Sequence, residues 1–105
     1  MELAKLSEEA LRIRELYSKN DEKNFGRQWT KEEIFIGLTG DIGDLGKLVL
    51  AKEGIRNIED ADEKIKHEIA DCLWAILVLA KEYDIDIEET FLKNMKELEE
   101  RILNN

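Results

Sequence analysis

Glu68 and Asp71 stand three residues apart in the stretch His67-Glu68-Ile69-Ala70-Asp71-Cys72-Leu73-Trp74, at the head of a run with no polar residue from Cys72 to Ala80. At helical spacing i, i+3 the two acids share a face. Carboxylates at the edge of so apolar a surface need pairing, hydrogen bonds or a metal ion. The chain supplies a second acidic pair at the same spacing, Asp41 and Asp44, on an earlier helical stretch. Carboxylates projecting inward from facing helices are a standard way to build a metal site in a bundle. The four ligands would all be hard oxygens, which favours Mg²⁺ or Mn²⁺ over zinc or copper. His67 adjoins Glu68 but points about 100° away on a helix, which leaves it outside the ligand set. Acids make up 25 of 105 residues, and Glu59–Asp62, Asp60–Glu63 and Glu97–Glu100 repeat the spacing. Spacing alone is therefore weak; the apolar run after Asp71 and the glycines around Asp41 single out the two pairs.

Four helices are expected to carry these residues. The first is expected from Ser7 as N-cap, with Leu6 and Leu11 as a hydrophobic staple, fading near Asn20. Phe25-Gly26-Arg27-Gln28-Trp29 reads as a loop. The second helix has a capping box, Thr30 with Glu33, which Trp29 and Ile34 can staple, and it runs to Gly54. It contains Gly37, Gly40, Gly43 and Gly46, each costing roughly 1 kcal/mol against alanine. That regular series implies close packing against another helix, room beside Asp41 and Asp44, or a kink. The third helix is expected from Asp60, with Glu63 completing a variant box. Its second half is apolar on all sides, which marks burial from every direction. A chain this short has little material for that, so a subunit interface is expected. Tyr83-Asp84-Ile85-Asp86 reads as a turn. Asp86 with Glu89 opens a fourth helix with an apolar face of Ile87, Phe91, Met95, Leu98 and Ile102.

Length and composition agree with a single all-α domain over residues 1–105, without repeats or low-complexity segments. The net charge of −9 argues against nucleic-acid binding but admits a small anionic substrate if a divalent cation intervenes. The nine-residue apolar run is too short to span a bilayer, and the N-terminus has no signal-peptide pattern. One cysteine, Cys72, supports no intrachain disulfide. It reads as a small core residue and agrees with a cytoplasmic protein.

Gly40-Asp41-Ile42-Gly43-Asp44-Leu45 followed by Glu68-Ile69-Ala70-Asp71-Cys72-Leu73-Trp74 resembles the MazG-like nucleotide pyrophosphohydrolases of the all-α NTP pyrophosphatase superfamily. The family pattern is E-E-x-x-E on one helix and E-x-x-D on a later one. Glu68 and Asp71 match the second half. Asp41 and Asp44 fall on the second and third acids of the first half, each shortened from Glu, and Gly40 stands where the first Glu is usually found. The resemblance extends from Trp29 to about Arg101. It implies a four-helix subunit acting as a homodimer or homotetramer. It also implies Mg²⁺-dependent attack of water on a nucleoside triphosphate, giving the monophosphate and pyrophosphate, with a house-cleaning role on non-standard nucleotides. Metal ligands would be Asp41, Asp44, Glu68 and Asp71, with catalysis resting on Glu68 and Asp71. Phosphate contacts would come partly from the last helix, where Lys93, Asn94, Lys96 and Arg101 are the candidates. Trp29 is the candidate for stacking on the base. Gly40 and the shortened acids leave a rival, a non-catalytic module serving assembly or nucleotide sensing. A carboxylate-bridged redox bundle lacks the expected Glu-x-x-His pairs.

Overall fold

Thr30 sets the frame of the fold. Its hydroxyl accepts from the Glu33 backbone N–H at 3.2 Å, and the Glu33 carboxylate accepts from the Thr30 N–H at 3.1 Å. This capping box starts helix α2 (Lys31–Lys52), and Gly54 ends it in the left-handed conformation, φ 78°. The computed structural model describes residues 2–104 of the chain. It is all-helical, with α1 (Glu2–Phe25), α3 (Ala61–Glu82) and α4 (Ile87–Leu103) completing the order and no strand among the described residues.

α2 and α3 form an antiparallel hairpin. Near its connection Lys52 pairs with Asp62, while at the far end Ile34 and Leu38 join Ala75, Leu77 and Val78 in the core. α1 lies against α3, adding Ala10 to the same cluster. Val78 is wholly buried, a placement that contributes about 1.5–3 kcal/mol for an aliphatic side chain. Cys72 sits in this core as a free thiol.

Three expectations are corrected. α1 does not start at Ser7 or fade at Asn20: it begins at Glu2 and continues to Phe25. Ser7 lies inside it, the Asn24 side chain donates to that of Asn20 at 3.2 Å, and Gly26 at φ 74° closes it. Phe25 is thus the last helical residue and not part of the loop. The Asp60 box does not form, because Asp60 adopts a left-handed conformation, φ 60°, and its side chain makes no capping bond. The glycines of α2 do not mark close helix packing. A Cβ at Gly40, Gly43 or Gly46 would meet nothing within 4 Å, and only Gly37 is crowded, by the Trp29 ring.

α4 starts where Asp86 accepts from the Glu89 backbone N–H at 3.2 Å. It buries no residue, although Ile87 touches the core. Phe91, Leu92, Ile102 and Leu103 remain exposed on it. On α3, Leu73 and Ile76 are each 43% exposed, so its second half is not enclosed within one chain. Among the described residues no helix is long and apolar enough to cross a membrane.

Candidate metal centre

The antiparallel pairing of α2 and α3 determines which acids meet. One carboxylate oxygen from each of Asp41, Asp44 and Glu68 lies within 4.8 Å of the others. Asp41 and Glu68 are partly buried and Asp44 is exposed. Asp71 stands one turn along α3, outside this group of three. Its Oδ2 lies 3.2 Å from His67 Nε2, and its side chain is 44% exposed. His67 therefore contacts the neighbour of the cluster and not the cluster itself.

The charges here are unrelieved. Burial, and then the negative charges of Asp41, Asp71 and Asp44, push the Glu68 carboxyl above its usual value. Like-charged oxygens so close favour either a proton or a cation among them. Three hard oxygens from two rigid helices suit Mg²⁺ or Mn²⁺. Burial, with Asp41, Glu68 and Asp71 nearby, also pushes the Cys72 thiol up, so it is a core group and a poor nucleophile.

Two cavities adjoin the acids from opposite ends. The first, about 690 Å³, touches Asp41 and Asp71 and is lined by Tyr17, Phe25, Trp29 and Trp74. Trp74 is held by its indole N–H, which donates to the Ala10 carbonyl at 3.1 Å, and by edge-to-face contact with Tyr17 at 5.8 Å. Arg14, its side chain only 15% exposed, donates to the Trp29 carbonyl at 2.8 Å and pins the segment entering α2. The second cavity, about 410 Å³, touches Asp44 and Glu68 and is lined by Lys47, Lys64 and His67.

Trp29 borders the acids, as a base-stacking residue would have to. Tyr17, Phe25 and Trp74 were missed as lining of the site, though spacing within α1 and within α3 held part of the signal. Tyr17, Asp21 and Phe25 lie four residues apart and share one face of α1, which is hidden if the helix is ended at Asn20. Trp74 follows Asp71 by three residues on α3. Lys93, Asn94, Lys96 and Arg101 all lie on α4, and none of them lines either cavity.

Residues 51–104, more than half of the chain, match the family model described as the MazG nucleotide pyrophosphohydrolase domain. The matched segment contains Glu68 and Asp71; Asp41 and Asp44 precede it, and their convergence with Glu68 is independent of the match. Neither the comparison with curated proteins nor that with solved structures found a match.

Proposed function

The chain belongs to the MazG nucleotide pyrophosphohydrolase family, and we propose that it hydrolyses a nucleoside triphosphate to the monophosphate and pyrophosphate with Mg²⁺, or Mn²⁺ in its place. The observation that carries this reading is the approach of Asp41, Asp44 and Glu68 to within 4.8 Å beside an aromatic cavity. In this reading those three carboxylates hold the cation, and Asp71, one turn along α3, stands beside them as the base. When bound, the cation offsets charge on the phosphate oxygens and helps orient the attacking water.

The protein groups divide the remaining work. The base enters the aromatic cavity and stacks on Trp29, with Tyr17 and Phe25 beside it; such stacking contributes about 1–3 kcal/mol per base. Asp71 turns Oδ2 toward His67, leaving its other oxygen to take a proton from water. The water oxygen bonds to phosphorus at the α–β bridge and the bridging P–O bond breaks. Its electron pair stays on the departing phosphate oxygen, and one water proton passes to Asp71.

The exposed apolar side chains of α3 and α4 support assembly into a homodimer or homotetramer. An assay of pyrophosphate release from a panel of NTPs and dNTPs with Mg²⁺ or Mn²⁺ tests the activity. Release from at least one nucleotide, lost on Glu68→Ala and Asp71→Ala with helix content unchanged, is the expected result. No release from any nucleotide with any divalent cation would leave the non-catalytic module as the reading.

A further inference from the structure

The hairpin places its charged groups as a ladder. Along α2 the order is Asp41, Asp44, Lys47; along α3, running the other way, it is Asp71, Glu68, Lys64. The steps are three or four residues, about 4.5–6 Å along the helix axis. The aromatic cavity opens beside the first pair, and the second cavity spans the step from Asp44 and Glu68 to Lys47 and Lys64.

We propose that Lys47 and Lys64, in the cavity beyond Asp44 and Glu68, form a subsite for the pyrophosphate end of the nucleotide. The inference rests on the pyrophosphohydrolase reading and adds the direction in which substrate crosses the acids, base at Asp41 and Asp71, terminal phosphates at the lysines. Two observations support it besides position. Neither lysine forms an ion pair among the described residues, although the chain carries an excess of acids. The one further carboxylate at the cavity, Glu63, is already engaged by Lys66 at 3.0 Å. The cavity thus presents two unpaired ammonium groups on an apolar floor of Leu48 and Ile58. Lysine acts toward phosphate as a point charge with three donors. As the bridge breaks, negative charge grows on the departing pyrophosphate, beside those ammonium groups. A nucleoside diphosphate lacks the γ-phosphate that would reach the outer end of this cavity, so it should turn over poorly.

Titration calorimetry with inorganic pyrophosphate in Mg²⁺ tests the subsite directly, on the wild type, Lys47→Gln, Lys64→Gln, the double variant and Lys5→Gln. Losing a charged contact should weaken pyrophosphate binding by about tenfold per lysine. KM for the triphosphate should rise in parallel, while Lys5→Gln, one charge poorer but on α1 and outside the cavity, should match the wild type. Unchanged pyrophosphate affinity in the double variant overturns the subsite. So does an equal loss in Lys5→Gln, which would show diffuse attraction and not a local site. A wild type that releases no pyrophosphate from any nucleotide removes the parent reading, and the titration still decides whether the two lysines bind the anion.

Discussion

Glu68→Gln should make the cation-free protein more stable, and the same change should reverse its effect once Mg²⁺ is added. Glu68 shares a space of 4.8 Å with Asp41 and Asp44, and burial adds to their repulsion. At 4.8 Å two unit charges repel by about 3.5 kcal/mol at an effective dielectric constant of 20 and by about 0.9 kcal/mol in water. Glu68 is only partly buried and Asp44 is exposed, so the lower figure is the better guide after solvent screening. Relief of two such repulsions gives about 1–2 kcal/mol. Glutamine also keeps the local geometry, because its amide N–H can donate to Asp41 as a protonated Glu68 would.

Thermal unfolding followed by circular dichroism, first with a chelator and then with increasing Mg²⁺, reads both halves of this expectation. For a domain of this size each kcal/mol corresponds to about 4–8 °C, so the variant should melt higher than the wild type in chelator. A cation bound only by the folded state stabilises it by about 2.7 kcal/mol at one hundred times its dissociation constant. The wild type should gain this and Glu68→Gln much less, so the two melting curves should exchange order. A variant less stable than the wild type in chelator would refute the electrostatic account. Equal gains from Mg²⁺ in the two proteins would refute the role of Glu68 as a ligand.

Further outcomes follow from the acid cluster and from the glycines of α2. The folded Glu68 carboxyl holds its proton more tightly than the unfolded one; between the two values the folded state binds more protons, so stability falls as pH rises through that window and returns below it. Denaturant titrations across the acid range should show the wild type gaining on Glu68→Gln as pH falls, while its Mg²⁺ affinity drops because protons compete for the same oxygens; a stability difference independent of pH would contradict this. Alanine at Gly37 would place its Cβ 3.2 Å from the Trp29 ring and should shift the tryptophan emission and weaken nucleotide binding, whereas alanine at Gly46, which faces open space, should stabilise the protein by roughly 1 kcal/mol.

What the sequence revealed depended on how local the signal was. The start of α2 was legible because Thr30 and Glu33 satisfy each other within one turn. The family was legible from two short acidic motifs. The aromatic cavity was not, because it joins Tyr17 and Phe25 of α1, Trp29 before α2 and Trp74 of α3, and no local pattern ties the three segments together. Ending α1 at Asn20 concealed it further, since the polar run after Tyr17 reads as a loop until Asp21 and Phe25 are seen on one face. The Asp60 box failed for a different reason: the spacing to Glu63 was present, but Asp60 takes a left-handed backbone in place of the extended one a capping residue adopts, and its side chain makes no capping bond.

The shortened acids of α2 bear on the rival, non-catalytic reading. Loss of a methylene at Asp41 and Asp44 has not kept the carboxylates apart, for both come within 4.8 Å of Glu68. The longer side chain on α3 spans what the shorter ones on α2 do not. Gly40 differs in kind. A Cβ there meets nothing within 4 Å, so packing does not forbid a glutamate at the position where the family usually has one. The missing acid is therefore not the result of a crowded backbone, and its absence leaves the α2 side of the cluster with one fewer negative charge. Four carboxylates remain when Asp71 is counted, more than enough to offset one divalent cation before any phosphate arrives. A phosphate chain would bring further negative charge, and Lys47 and Lys64, toward the connected end of the same hairpin, are the groups proposed to meet it. Along both helices the acids that would hold a cation are followed by a lysine, in the direction proposed for the triphosphate. A fold kept only for assembly has no need of that arrangement.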